Sequence, residues 1–176
     1  AKIESQQPVF FQRNNWEELR IGELAQTISG GTPLTIKKEY YENGTIPWIT
    51  SGEVSQGEIW SAEQHITPLG LQESSAKMVP QDSVLVAMYG ATAGKVGILK
   101  IRACTNQAVC AILPNQKFLP KFLYYQLSVM ENYLVGLRTG KARLNLSQEK
   151  IREIKVKLSP PEVQVQIVAE CEAIDR

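Results

Sequence analysis

The chain has 176 residues, of which 43% are hydrophobic and 21% charged, and its 12 Gly and 9 Pro indicate many turns. These values are typical of one globular domain and exclude a disordered or fibrous chain. The net charge is +1 and the apolar runs are strand-sized, so we expect neither a membrane span nor a cleavable targeting peptide in residues 1–15.

The first part of the chain predicts short β-strands separated by turns. An apolar segment that begins at Trp16 ends at Gly30 and Gly31, because paired glycines permit backbone angles that other residues avoid. Runs of β-type residues bounded by Gly, Pro or Asn follow at Ile46–Thr50, Val84–Met88, Val96–Ile101 and Ala108–Leu113. The segment Tyr89–Lys95 is therefore predicted to be a loop between two paired strands.

Helical periodicity begins after Pro120, a residue that suits the first turn of a helix. Apolar side chains then recur at spacings of four and three and are predicted to face the core: Leu123, Leu127, Met130, Leu134 and Leu137. The segment Arg138–Asn145 is polar and basic, as in a loop. Ser147 is predicted to cap a short helix that carries Ile151, and Ile154, Val156 and Leu158 alternate as in a final strand.

Pro160 and Pro161 can begin one more helix. Its apolar stripe consists of Val163, Ile167, Cys171 and Ile174. The stripe has no evident partner in so short a tail and continues almost to Arg176, so we expect a truncated coiled-coil arm whose stripe contacts a partner helix. Packing of this helix back onto the domain is the alternative.

The residues that could carry redox or metal chemistry are few. Cys104, Cys110 and Cys171 form an odd set without a Cys-x-x-Cys pair, so we expect buried, reduced thiols. His65 is the single histidine and lies far from them in sequence. No metal site is therefore expected.

Enzymatic motifs are incomplete. The loop Gly90–Val96 is similar in outline to a phosphate-binding loop, but it has three residues between its glycines and Val96 in place of Ser or Thr. Adenine methyl transfer would need Asn or Asp before Pro-Pro and an aromatic residue after it, whereas Pro160-Pro161 lies between Ser159 and Glu162. We expect no catalytic residue in this chain.

Positive charge is concentrated in the second half of the chain. Residues 91–157 carry twelve Lys and Arg against three Asp and Glu, whereas residues 1–90 carry six against eleven. A basic surface binds the phosphates of duplex DNA through counterion release, so a local field matters more than the net charge. We expect the basic side chains between Ala91 and Lys157 to gather on one concave wall, although separate solvated faces are equally compatible with the charge alone.

Five signatures follow in a fixed order: Gly30-Gly31-Thr32-Pro33, Gly44-Thr45-Ile46-Pro47-Trp48-Ile49, Gly94-Lys95-Val96, Thr105-Asn106-Gln107-Ala108 and Glu162–Val168. From Trp16 to about Glu172 the chain resembles the target-recognition domain of the specificity subunit of type I restriction-modification systems. Lys157, Ser159 and Pro161 depart from the usual approach of that family to its conserved helix. Most signature residues are predicted to form turns and core packing, among them Gly30, Gly31, Pro47, Trp48 and Gln107.

The resemblance implies an α+β fold with a single mixed α/β target-recognition domain at residues 16–158. An N-terminal extension at residues 1–15 precedes it, and the start of a long, conserved coiled-coil spacer helix, truncated in this chain, follows at residues 159–176. The protein would be a non-catalytic, cytoplasmic component of a bacterial or archaeal system that recognises one half of a split site in double-stranded DNA.

The resemblance also implies partners. Methyltransferase subunits would bind S-adenosylmethionine, restriction motor subunits would use ATP, and this chain would bind neither cofactor. Self-association through the C-terminal helix is also open. Two alternatives remain: a recognition domain fused to a nuclease and methylase in one chain, and an unrelated small α/β enzyme or carbohydrate-binding module.

Polar and basic loop residues are the natural DNA contacts, because phosphate contacts position a protein and base-edge contacts give it specificity. The predicted basic contacts are Lys95, Arg138, Lys141 and Arg143, and the predicted neutral contacts are Tyr89, Thr92, Thr139 and Asn145.

Overall fold

The computed structural model describes residues 15–140 and 145–176. Within these ranges the strands are β1 Glu17–Arg20, β2 Thr27–Ser29, β3 Ile46–Ile49, β4 Glu58–Ile59, β5 Gln64–Ile66, β6 Met78–Val79, β7 Val84–Ala87, β8 Val96–Leu99, β9 Ala103–Thr105, β10 Val109–Ile112 and β11 Lys155–Leu158. The α-helices are α1 Ile21–Leu24, α2 Pro68–Gln72, α3 Pro120–Val129, α4 Glu131–Gly136, α5 Gln148–Glu153 and α6 Pro161–Asp175. The expected α+β fold is confirmed.

A five-stranded sheet with the order β2-β10-β7-β8-β4 forms the centre of the domain. Its neighbours are antiparallel except β4 and β8. Every residue of β7, β8 and β10 is buried, because the sheet is covered on both faces. This explains why these strands are continuous apolar runs rather than alternating ones.

Side chains alternate between the two faces of this sheet. Val84, Val86 and Cys110 point to a core formed with helices α3, α4 and α5. Leu85 and Ala111 point to the opposite core, which contains residues of β3, β4 and β6. The domain therefore has three layers: helices, the five-stranded sheet, and a four-stranded sheet with the order β5-β3-β9-β6.

The helical stripe predicted after Pro120 lies in the core, but two helices carry it. Leu123, Leu127 and Leu134 are buried, and Met130 and Leu137 pack against the same cluster. The chain leaves the helix at Met130, whose N–H donates to the Leu127 carbonyl in the tighter bond that ends α3. Two residues earlier, the Ser128 hydroxyl donates to the Tyr124 carbonyl, a pattern that bends helices.

The segment after the basic loop has the predicted order of cap, helix and strand. The Ser147 hydroxyl accepts from the Lys150 N–H at 3.1 Å, and α5 follows with Ile151 fully buried. Strand β11 then pairs with β1 in a separate two-stranded sheet. On α3, Gln126 accepts from the Lys157 N–H at 2.7 Å and donates to its carbonyl at 2.8 Å, so a side chain holds the other edge of β11.

Helix α6 packs against the domain, so the expectation that its stripe lacks a partner within the chain is wrong. Ile167 and Cys171 are 5% and 0% exposed, in a cluster with Trp16, Phe122 and Tyr125, and Val163 and Ile174 pack against that cluster. The partner was not evident because Trp16 and α3 lie far away in sequence. Contact with a partner helix stays a prediction, and Val165, which is 58% exposed, lies outside this stripe.

Candidate nucleic-acid interface

One end of the five-stranded sheet collects four connecting segments. Strand β7 ends there and β10 begins there, since the Met88 N–H donates to the Ala108 carbonyl at 2.8 Å. Strand β2 also ends there, beside β10, and β8 begins there. Strand β4 runs parallel to β8, so the segment Ser51–Gln56 that precedes β4 lies at this end too. The four segments are Gly30–Pro33, Ser51–Gln56, Tyr89–Lys95 and Asn106–Ala108. We call them together the loop end.

The loop Tyr89–Lys95 connects antiparallel strands, as predicted. It contains a 3₁₀ turn at Gly90–Thr92 and closes with the Gly94 N–H donating to the Ala87 carbonyl at 2.9 Å. Gly94 has φ +96°. Tyr89 is 40% exposed, and the side chains of Thr92 and Lys95 are half-buried. The Lys95 Nζ atom lies 2.6 Å from Glu131 Oε1, which connects the loop to α4.

The second predicted loop begins beside the first. The Leu146 N–H donates to the Met88 carbonyl at 2.8 Å, directly before Tyr89. Thr139 and Asn145 form an antiparallel bridge with two bonds of 2.9 Å. Lys141 and Arg143 lie between these residues in sequence and outside the described residues.

Two basic side chains near this bridge already donate hydrogen bonds within the domain. The Lys150 Nζ donates to the Leu137 carbonyl at 2.8 Å and to Thr139 Oγ1 at 2.6 Å. It therefore fixes the base of the loop. The Arg138 Nε donates to the Val135 carbonyl at 3.0 Å, while its terminal nitrogens make no hydrogen bond to the described residues. Among the described residues, the two terminal nitrogens of Arg138 are therefore left without a hydrogen-bond acceptor.

The expectation that the basic residues share one wall is wrong for several of them. Lys100 lies at the opposite end of β8 from Lys95, roughly 16 Å away along an extended strand, and pairs with Asp82 at 2.9 Å. Arg152 donates to Thr27 Oγ1 at 3.1 Å. Lys155 lies on β11, in the separate two-stranded sheet. Strand direction separates these cations, and the sequence order does not reveal it.

The loop end carries little negative charge. Glu53 is the acidic residue in its four segments, and that side chain is 4% exposed. Its Oε2 accepts from the Thr50 N–H at 2.7 Å and its Oε1 accepts from the Glu63 N–H at 2.9 Å, so the carboxylate faces inward as part of a capping box. The segment Arg138–Asn145 adds basic residues and no acid.

The structure thus brings six of the eight predicted DNA contacts to one region: Tyr89, Thr92, Lys95, Arg138, Thr139 and Asn145. DNA contact by these residues stays a prediction. Sequence reasoning missed Glu131 and Lys150, which hold the two loops. No spacing rule could have found them, because both bonds depend on tertiary packing.

Four of the signature residues lie below the loop end and form turns or core packing, as predicted; we call them its floor: Gly30, Gly31, Trp48 and Gln107. A Cβ atom on Gly30 would lie 1.9 Å from the Thr105 carbonyl oxygen, and one on Gly31 would lie 2.0 Å from Ser75 Oγ. Trp48 is buried and its Nε1 donates to the Gly31 carbonyl at 3.0 Å. Only glycine permits this close approach of two chain segments.

Other chemistry finds little support among the described residues. Cys104, Cys110 and Cys171 are buried free thiols, as predicted. Residues 15–140 and 145–176 contain no cluster of His, Cys, Asp and Glu that could hold a metal ion. In the same ranges, no helix has the length and apolar character needed to cross a membrane.

Residues 13–176 match the model of the type I restriction modification DNA specificity domain. The chain belongs to this family.

The curated relatives that match this chain are longer than it. The chain is 27% identical over 163 residues to the EcoR124I/EcoR124II specificity subunit of Escherichia coli, covering 90% of this chain and 40% of the relative. It is 30% identical over 158 residues to the MjaIX specificity subunit of Methanocaldococcus jannaschii, covering 87% and 36%. The chain thus spans well under half the length of these relatives.

Solved structures share the fold. The HsdS subunit from Thermoanaerobacter tengcongensis matches with a TM-score of 0.71 and 18% identity, covering 98% of this chain and 42% of that one. A chain from a study of the structural basis of complex assembly and conformational transition of the type I R-M system matches with a TM-score of 0.77 and 19% identity, covering 98% and 43%.

Proposed function

We propose that this chain is the sequence-specific double-stranded DNA recognition module of a type I restriction-modification specificity subunit, and that it recognises one half of a split site. The observation that carries the proposal is that the loop Tyr89–Lys95 lies beside Thr139, Asn145 and Leu146, which flank the basic residues Lys141 and Arg143 in sequence, at one end of the central sheet. Membership of the DNA specificity domain family supports it.

Two kinds of contact would share this surface. Lysines contribute affinity through phosphates, whereas arginine can donate two bonds to guanine and discriminate by about 1–3 kcal/mol. The terminal nitrogens of Arg138, which a guanine contact needs, make no hydrogen bond to the residues that the structure describes. Lys141 and Arg143 follow in the same loop, and Tyr89, Thr92, Thr139 and Asn145 would add neutral contacts.

The larger assembly is part of the same proposal. Because the curated relatives are named specificity subunits and this chain covers 40% of the first, a second recognition domain would read the other half of the site. Methyltransferase subunits with S-adenosylmethionine and motor subunits with ATP would carry out the chemistry in the cytoplasm. This chain would contribute recognition without catalysis, and α6 would begin the spacer.

The test uses the intact protein in complex with its methyltransferase subunit. A selection from random duplexes should yield a fixed motif, and Lys141→Gln with Arg143→Gln should weaken binding and flatten its dependence on salt. Lys155→Gln with Lys157→Gln is the matched control, because it removes two charges from the distant sheet. Unchanged affinity of the loop variant for the selected duplex would overturn the role of this loop, and the absence of any motif would overturn the function.

A further inference from the structure

Gln107 is an exposed side chain on the floor of the loop end, outside the two loops that carry the predicted DNA contacts. The Thr32 hydroxyl, also exposed, donates a hydrogen bond to Gln107 Oε1. The two residues belong to segments that lie 75 positions apart in sequence. A bond between two surface side chains this far apart implies that their backbones are held in place.

The backbone below this pair is indeed fixed. The Gly31 N–H donates to the Thr105 carbonyl at 3.0 Å, and the Asn106 N–H donates to the Ile49 carbonyl at 2.9 Å. The Asn106 side chain accepts from the Ala108 N–H at 3.0 Å and closes the turn that contains Gln107. Thr32 can therefore hold the Gln107 amide without the entropy cost that a mobile loop would add.

Gln107 lies next to the proposed interface. The bond from the Met88 N–H to the Ala108 carbonyl places it beside Tyr89, at the start of the first loop. The surrounding segments contain one acidic residue, Glu53, which is buried and directed inward. A phosphate could approach this point without meeting an exposed carboxylate of the loop end.

The bond with Thr32 limits what Gln107 can recognise. A glutamine that reads adenine uses its carbonyl oxygen and its amide nitrogen together. Here Oε1 is engaged by Thr32, and Nε2 makes no hydrogen bond to the described residues. Nε2 carries two N–H donors, and either can bond to a phosphate oxygen, which accepts single bonds from glutamine, threonine and backbone N–H groups.

We propose that Gln107, oriented by Thr32, donates from Nε2 to a phosphate of the bound duplex and positions the domain without reading sequence. The inference rests on the proposed function and assigns to the shared floor a role separate from that of the loops. Gln107 on the floor contacts the phosphate backbone of the DNA, and the two loops contact the bases.

Substitution of Gln107 by glutamate separates this role from a structural one. Gln107→Glu keeps an oxygen that accepts from Thr32, so the melting temperature should not change. It replaces the donor by a negative charge, so affinity should fall more than roughly tenfold for every duplex. Gln107→Leu should lower affinity by roughly 3- to 10-fold, the value of one hydrogen bond, again for every duplex. Gln116→Glu, exposed beyond the far end of β10, is the matched control for charge.

The measurements are duplex affinity against salt, the selected motif, and melting temperature, all on the intact protein with its methyltransferase subunit. We expect Gln107→Leu to leave the motif and the slope of the salt dependence unchanged, because a neutral amide releases no counterions. The proposal would be overturned if Gln107→Glu bound duplex as tightly as the unsubstituted protein. It would also be overturned if Gln107→Leu selected a motif that differed at one base. If the Lys141 and Arg143 variant loses affinity and the Gln107 variants do not, the role of Gln107 is overturned and the proposed function stands. If the unsubstituted protein shows no sequence preference, both are overturned.

Discussion

Lys95 and Glu131 form an ion pair with 2.6 Å between Nζ and Oε1, which ties the loop after β7 to the first turn of α4. The side chains are 44% and 27% exposed. The pair is therefore near solvent and is expected to add no more than about 1 kcal/mol to stability. Its larger effect is electrostatic. Lys95 is the one cation of the loop Tyr89–Lys95, which belongs to the proposed DNA surface, and Glu131 offsets its charge.

Glu131→Gln should increase affinity for DNA. Without the carboxylate, Lys95 can contact phosphate, so we expect roughly two- to fivefold tighter binding to any duplex at low salt and a steeper dependence on salt. Fluorescence anisotropy over a series of salt concentrations measures both.

Two controls separate the ion pair from the mere loss of an acid. Glu149→Gln removes an exposed carboxylate from α5 and should have a smaller effect. In a Lys95→Gln background, Glu131→Gln should lose most of its effect. An equal gain in both backgrounds would contradict the role assigned to Lys95.

Local structure was the part of the fold that could be predicted from sequence. The run Ile46–Thr50 became a strand at Ile46–Ile49, and Ala108–Leu113 became one at Val109–Ile112. The second run is reliable because β10 is buried along its whole length and must be apolar throughout. Ser147 was predictable as a cap for a similar reason, since its hydroxyl acts on a residue three positions away.

Tertiary contacts were not predictable. The stripe with Ile167 and Cys171 indicated a buried helix face, but not that Trp16 and Phe122 bury it. Likewise, the two loops were identified separately, and the bond between Leu146 and Met88 that joins them follows no sequence pattern. Charge was the least predictable property, because Lys100 is neutralised by Asp82 at the far end of its strand.

Gly94→Ala should destabilise the domain by about 1–3 kcal/mol. Gly94 has φ +96°, and an added Cβ atom would lie 3.0 Å from Val135 Cγ2. Gly136→Ala is the matched control, since its Cβ atom would meet nothing within 4 Å at the end of α4. The free energy of unfolding of that variant should equal the parental value or exceed it by up to about 0.5 kcal/mol. Urea-induced unfolding measures both, and equal stabilities would show that Gly94 does not require its conformation.

Gln164→Leu should weaken the attachment of α6. Gln164 is 1% exposed, and its amide accepts from the Leu119 N–H at 2.8 Å and donates to the Ser159 carbonyl at 2.9 Å. Loss of these bonds leaves buried backbone groups unsatisfied, at a cost of about 2–3 kcal/mol. Gln166→Leu, exposed on the same helix, should change the free energy of unfolding by less than about 0.5 kcal/mol. Similar losses in the two variants would show that the buried amide does not anchor the helix.

The buried thiols predict a defined response to alkali. Burial raises the pKa of Cys104 and Cys171 to about 11 and that of Cys110 to about 12, from an ordinary value of 9.0. Since the unfolded chain loses these protons first, their contribution to stability is complete below about pH 9 and is lost as the pH rises through the folded values. At pH 8 a thiol reagent should label all three cysteines in urea and none in the folded protein. In addition, Cys110→Ala should make the decline of unfolding free energy above pH 9 less steep, by up to about 1.4 kcal/mol per pH unit. Rapid labelling of any cysteine in the folded protein would show that the core around it opens far more often than its complete burial implies.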